Sequence, residues 1–119
     1  SMRRGTEKNK QEIIVFSIGL VMKLKPGGYP GYKEAHDKLW PEIARSMSDN
    51  SVSMSIYRFE DLLFLHAVAP TEEDWEKSRA APDLERWVEY MSEFLQSDAA
   101  GEVFFEDLPE AFGFGLFKT

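Results

Sequence analysis

The runs Val52-Ser53-Met54-Ser55-Ile56-Tyr57-Arg58-Phe59 and Leu62-Leu63-Phe64-Leu65-His66-Ala67-Val68-Ala69 are separated only by Glu60-Asp61, the pattern of two strands joined by a tight turn. The second run decides the fold. One parity carries Leu62, Phe64, His66 and Val68, and the other carries Leu63, Leu65, Ala67 and Ala69, so both faces are apolar. An antiparallel strand with one face in water alternates apolar with polar residues. This strand therefore calls for cover on both sides.

Upstream, Ile13 to Lys25 repeats the feature, with Ile14, Phe16, Ile18, Leu20 and Met22 opposing Ile13, Val15 and Val21, and Pro26-Gly27-Gly28 closes the strand. From Gly31 to about Ser48 the period becomes helical, and Tyr32, His36, Leu39, Trp40, Ile43 and Met47 share one arc. Pro41 cannot donate to the carbonyl of Asp37, which predicts a kink or a break just before it. Downstream, Thr71 with Asp74 three residues on signals a helix start. A second helix restarts at Pro82 and runs to about Gln96, Gly101 breaks it, and one or two strands are expected within residues 102–117.

Strand, helix, strand, strand, helix, strand is the order of a ferredoxin-like split β-α-β sandwich, an α+β fold. Its helices cover one face of the sheet only. A second copy packed sheet to sheet supplies the other cover most simply, which predicts a homodimer forming an α/β barrel.

Composition narrows the function classes. At 119 residues the chain fits one domain, expected over residues 13–119 after a charged, aperiodic and disordered lead-in at 1–12 whose Ser1-Met2 reads as a cloning scar. Without cysteine there is no disulfide, thiolate metal site or thiol nucleophile. A net charge of −7 with no large basic cluster argues against nucleic acid and is compatible with a small neutral substrate. The apolar stretch Ile13 to Leu24 is interrupted by Ser17, Gly19 and Lys23, so it reads as a strand of a cytoplasmic protein rather than a membrane span or signal peptide.

Tyr32, His36 and Trp40 fall at i, i+4 and i+8, on one helix face. An imidazole titrating near neutrality between a phenol and an indole suits acid/base work on a sugar. Spacing alone, however, favours a core histidine bonded to a backbone carbonyl. On the later helix Leu84, Trp87, Val88, Tyr90, Met91, Phe94 and Leu95 form a broad arc that reads first as core, although Trp87 and Tyr90 could stack on a sugar. His66, in mid-strand, reads as structural. Two histidines on separate elements make a poor metal site, and no P-loop, Rossmann or G-x-S-x-G pattern is present.

The segment Tyr32-Lys33-Glu34-Ala35-His36-Asp37-Lys38-Leu39-Trp40-Pro41-Glu42 resembles the L-rhamnose mutarotase family, whose pattern there is roughly Y-x-x-x-H-[DN]-x-[IL]-W-P-E. Ser55-Ile56-Tyr57, Leu62-Leu63-Phe64, Arg86-Trp87-x-x-Tyr90-Met91 and Leu108-Pro109-Glu110-Ala111-Phe112, the last resembling the family's final strand, extend the likeness over about residues 14–114. The resemblance implies a dimeric α/β barrel that interconverts the α and β anomers of L-rhamnose without a cofactor. It makes His36 the acid/base residue, reversing the reading from spacing, and Tyr32 a sugar contact. It also brings three departures. The family's Trp-Trp pair is Trp87-Val88 here, and a second sugar-contacting tyrosine falls at Met54. The loop N-P-D-N-S-P becomes Ser97-Asp98-Ala99-Ala100-Gly101, without the asparagines or proline. Met54, Trp87 and Val88 thus join Tyr32 as candidate substrate contacts, Trp40 and Tyr90 support the pocket, and Tyr32 is the first candidate for a second proton carrier. The rival readings are another dimeric α/β-barrel enzyme, such as a cofactor-free oxygenase, and a ligand-binding domain without turnover.

Overall fold

The computed structural model describes residues 14–117, so the lead-in and Ile13 lie outside the described residues. In chain order the elements are β1 (Phe16–Lys23), α1 (Tyr29–Asp37), α2 (Pro41–Asp49), β2 (Ser53–Phe59), β3 (Leu62–Ala69), α3 (Glu72–Arg79), α4 (Pro82–Met91) and β4 (Glu106–Asp107), followed by a 3₁₀ turn at Gly115–Phe117. The strands form one antiparallel sheet in the order β2-β3-β1-β4. That is the ferredoxin-like order expected from the element pattern.

The β2-β3 turn needs only Glu60 and Asp61, and Glu60 takes a left-handed conformation with φ of 53°. β1 pairs with β3 from Phe16 opposite Ala69 to Lys23 opposite Leu62. It begins later than the apolar run because β3 ends at Pro70, which has no N–H to pair. The Val15 N–H donates instead to the Leu116 carbonyl in the C-terminal segment.

Pro41 breaks the predicted helix outright. Residues preceding proline are driven out of the helical region, and Trp40 sits at φ −60°, ψ 133°. Its carbonyl then accepts the first N–H groups of α2, from Ile43 and Ala44. The Thr71 signal holds: its hydroxyl oxygen accepts the Asp74 N–H at 3.1 Å and caps α3. Helix α4 stops at Met91, short of the expected Gln96. There the N–H groups of Glu93 and Phe94 turn back to carbonyls three residues earlier, and β1 captures the chain through Lys25 N–H to Phe94 O and Gln96 N–H to Lys23 O. The final strand is shorter than expected, because only Glu106 and Asp107 pair with β1 as a ladder. The Leu108–Phe112 stretch, which resembles the family's final strand, lies just beyond it without regular structure.

All four helices contribute to one core against the inward parity of the sheet. Met22, Leu24, Leu63, Leu65, Ala67 and Ala69 meet Tyr32, Ala35, Ile43, Trp75, Trp87, Met91 and Leu95, all buried. Small side chains at Ala67 and Ala69 leave room for α3, which packs on β3 and β1. Among the described residues no helix covers the opposite face of the sheet. The chain leaves the β1 edge at Leu108, whose N–H donates to Gly19 O, and the C-terminal segment reaches the outer face at Phe117, whose ring lies 5.3 Å from that of His66.

Candidate active site

His36 lies in the last turn of α1, on the side turned toward α4. Its Nδ1 is 2.9 Å from the carbonyl oxygen of Tyr32, four residues back. A carbonyl can only accept, so Nδ1 carries the proton and Nε2 is left with a free lone pair. The ring packs 4.2 Å from the Tyr32 ring and edge-on to Trp87 at 5.2 Å, between centroids. Burial holds the imidazole pKa below its ordinary value; the backbone hydrogen bond and Asp37 oppose that shift, and Lys33 adds to it. The neutral ring is therefore favoured at pH 7, with Nε2 able to accept a proton.

A cavity of about 500 Å³ opens between α1, α2, α4 and the inward face of the sheet. Tyr32, His36, Met54, Trp87 and Val88, the sequence-derived candidates for direct contact, all line it. Trp40 and Tyr90 do not; they stand behind it. Trp40 stacks on Tyr90 at 5.8 Å and meets Trp87 edge-on at 5.2 Å, so the break at Pro41 places one indole to brace another. Tyr32 is 5% exposed, and burial raises its phenol pKa far above the usual range. It stays protonated and offers a hydrogen-bond donor.

The cavity also contains residues that the sequence reading missed. Arg58 reaches it from β2 and Arg79 from the end of α3, with Lys33 at α1. Arg58 had a legible signal, since it shares strand parity with Met54 and Ile56 and so sits at an inward position. Arg79 had none, because it is the last residue of a short helix whose end carries no marking pattern. His66 lies on the outer face of the sheet and is exposed, away from the cavity. Among the described residues no group of three His, Cys, Asp or Glu is placed to hold a metal, and no helix is long and apolar enough to cross a membrane.

The sequence profile of the L-rhamnose mutarotase family matches residues 17–113. The chain belongs to that family. Among its relatives, the L-rhamnose mutarotase of Phocaeicola vulgatus is 33% identical over 94 residues, covering 76% of this chain and 90% of the relative. That of Escherichia coli is 24% identical over 95 residues, covering 77% and 91%. The crystal structure of an L-rhamnose mutarotase from Formosa agariphila superposes with a TM-score of 0.69 at 27% identity, covering 83% of this chain and 98% of the other. A NIPSNAP-like domain protein from Burkholderia xenovorans, at a TM-score of 0.59 and 14% identity, shares the fold alone. Membership of the mutarotase family favours neither rival reading.

Proposed function

We propose that this chain interconverts the α and β anomers of L-rhamnose or a related deoxy sugar, as a cytoplasmic homodimer, with His36 as the acid/base residue. The observation that carries the reading is the His36 ring, tied through Nδ1 to the Tyr32 carbonyl and lining an aromatic cavity with Nε2 uncommitted. Nε2 takes the proton of the anomeric hydroxyl as the C1=O double bond forms and the bond from C1 to the ring oxygen breaks. The ring oxygen leaves with a proton from water, giving the open aldehyde. Rotation about the bond from C1 to C2 turns the other carbonyl face to the same oxygen. The steps then reverse, and His36 returns its proton to the new anomeric hydroxyl.

Tyr32 was the first candidate for the second proton carrier. Its raised pKa makes it a weaker acid than a free phenol. We therefore assign it a hydrogen bond to a sugar oxygen and give the second transfer to water. A positioned general base contributes roughly 10² to 10⁴ in rate, enough for a reaction that already proceeds in water. Trp87 supplies the wall on which the sugar's apolar face rests, and Met54 and Val88 fill out the pocket.

Magnetization-transfer NMR on free sugars tests the reading. Wild type should accelerate anomer exchange of L-rhamnose or a related deoxy sugar, and His36→Ala should remove roughly 10² to 10⁴ of that acceleration while its far-UV spectrum and cooperative unfolding persist. Exchange by the variant at the wild-type rate would make the imidazole structural.

A further inference from the structure

The cavity is cationic in an acidic protein. The chain carries a net charge of −7, yet among the described residues the cavity wall holds Lys33, Arg58 and Arg79 and not one carboxylate. The three cations differ in what already satisfies them. Lys33 is solvent-exposed and spends its ammonium on Asp37 at 2.5 Å. The Arg58 guanidinium lies 4.0 Å over the Tyr29 ring, and its Nε donates to the Glu60 carbonyl at 2.8 Å. Its two terminal nitrogens have no carboxylate partner among the described residues.

Arg79 is the least satisfied. It is half-buried, its guanidinium lies 5.1 Å over the Trp75 ring, and it makes no hydrogen bond or ion pair among the described residues. Stacking on an indole engages one face of the guanidinium and none of its N–H groups. Burial lowers its pKa, so the site works against this charge, and among the described residues no anion is supplied to offset it. A planar fork of unpaired donors in a wall without carboxylates matches a carboxylate or phosphate, which accept two parallel N–H bonds. L-rhamnose, with a methyl group at C6, carries no such anion.

We infer that the cavity takes reducing sugars bearing an anionic group, a carboxylate or a phosphate ester, held by Arg79 with help from Arg58 while His36 opens the ring. The inference rests on the mutarotase reading and extends its substrate class from neutral to acidic sugars. Apolar walls and a low local dielectric strengthen the field of the two guanidinium groups inside the cavity, although the protein surface as a whole repels anions.

Anomer exchange is measured by magnetization transfer on L-rhamnose, D-galacturonate and glucose 6-phosphate, for wild type, Arg79→Gln, Arg79→Lys and Arg58→Gln. Titrations of each sugar followed by protein chemical shifts give affinity independently of turnover. Wild type should bind and exchange at least one of the two anionic sugars about tenfold better than L-rhamnose, and which one separates carboxylate from phosphate recognition. In Arg79→Gln the ratio of kcat/KM for that anion over L-rhamnose should fall about tenfold or more, Arg79→Lys should restore part of it, and Arg58→Gln should lower it less. Added salt should lower the same ratio. Should L-rhamnose be bound and exchanged while neither anion is bound more tightly, the anionic substrate is wrong and the mutarotase reading stands. Exchange of no sugar at all overturns both. An anion preference untouched by Arg79→Gln also overturns the assignment.

Discussion

At His36 two effects compete, and for the proposed base their balance would set the acid limb of activity. Burial favours the neutral ring, while the Tyr32 carbonyl and Asp37 favour the imidazolium; burial prevails and the pKa falls below the ordinary value of about 6.5. With the neutral ring as the proposed base, kcat/KM should fall on an acid limb centred below pH 6.5, at the lowered value. A pH profile of exchange checks this, and an acid limb centred above 6.5 would mean that the carboxylate, not burial, controls the ring. Met54 and Val88 carry a second expectation. At these positions the resemblance implies a phenol and an indole, and both side chains do line the cavity. A missing polar contact costs about 1 to 3 kcal/mol, so Met54→Tyr with Val88→Trp should raise kcat/KM for L-rhamnose by about tenfold or more. A fall instead would show that other side chains have taken over recognition. His36, Tyr32 and Trp87 were legible because a helical period and a motif coincide on them. Arg79 was not: a lone arginine near a helix end has many uses, and only the fold reveals that this one borders the cavity without a partner among the described residues.

The joint between α1 and the end of α4 fixes where His36 meets Trp87, and it depends on close backbone approach. A β-carbon at Gly28 would lie 2.5 Å from the Phe94 carbonyl oxygen, the same oxygen that accepts the Lys25 N–H at 2.8 Å. Backbone on both sides leaves nothing flexible to yield. Gly28→Ala should therefore cost about 1 to 3 kcal/mol, read as a lower urea midpoint at unchanged slope. Thr71→Ala, which removes the α3 cap, should cost about 1 kcal/mol and leave kcat/KM for L-rhamnose nearly untouched. A Gly28→Ala midpoint equal to wild type would show that the joint opens without cost. Element boundaries divide along the same line. The break at Pro41 and the Thr71 cap follow from one residue's own chemistry and were readable. The early end of α4 and the two-residue β4 were not, because β1 sets them by capturing Phe94, Gln96 and Leu108 from far along the chain. Local pattern is blind to such pairings.

For the molecule as a whole, the two-sided apolarity of β1 and β3 is satisfied on one side only. Helices bury Met22, Leu63, Leu65 and Ala67 to below a tenth of their surface, whereas the outer parity has Leu62, Phe64 and Val68 partly covered and Tyr57 and Phe59 exposed at 67% and 63%. The C-terminal segment, which reaches this face through Phe117, also exposes Phe112 at 81% and Phe114 at 77%. Apolar surface this contiguous marks an interface in soluble proteins. A two-fold copy offers the same face to itself, sheets pack about 10 Å apart, and a stable interface needs roughly 1,200 to 2,000 Å² in total. Each chain carries −7, so association also works against like charge and should strengthen with salt. Sedimentation at micromolar concentration should report twice the chain mass. Phe64→Glu, on the outer face, should give a folded monomer, because it buries two unpaired carboxylates across the two-fold while leaving the helix-side core alone. A wild-type chain that sediments as a monomer at every salt concentration, with cooperative unfolding, would sink the dimer and with it the barrel. The C-terminal aromatic residues would then need some other cover.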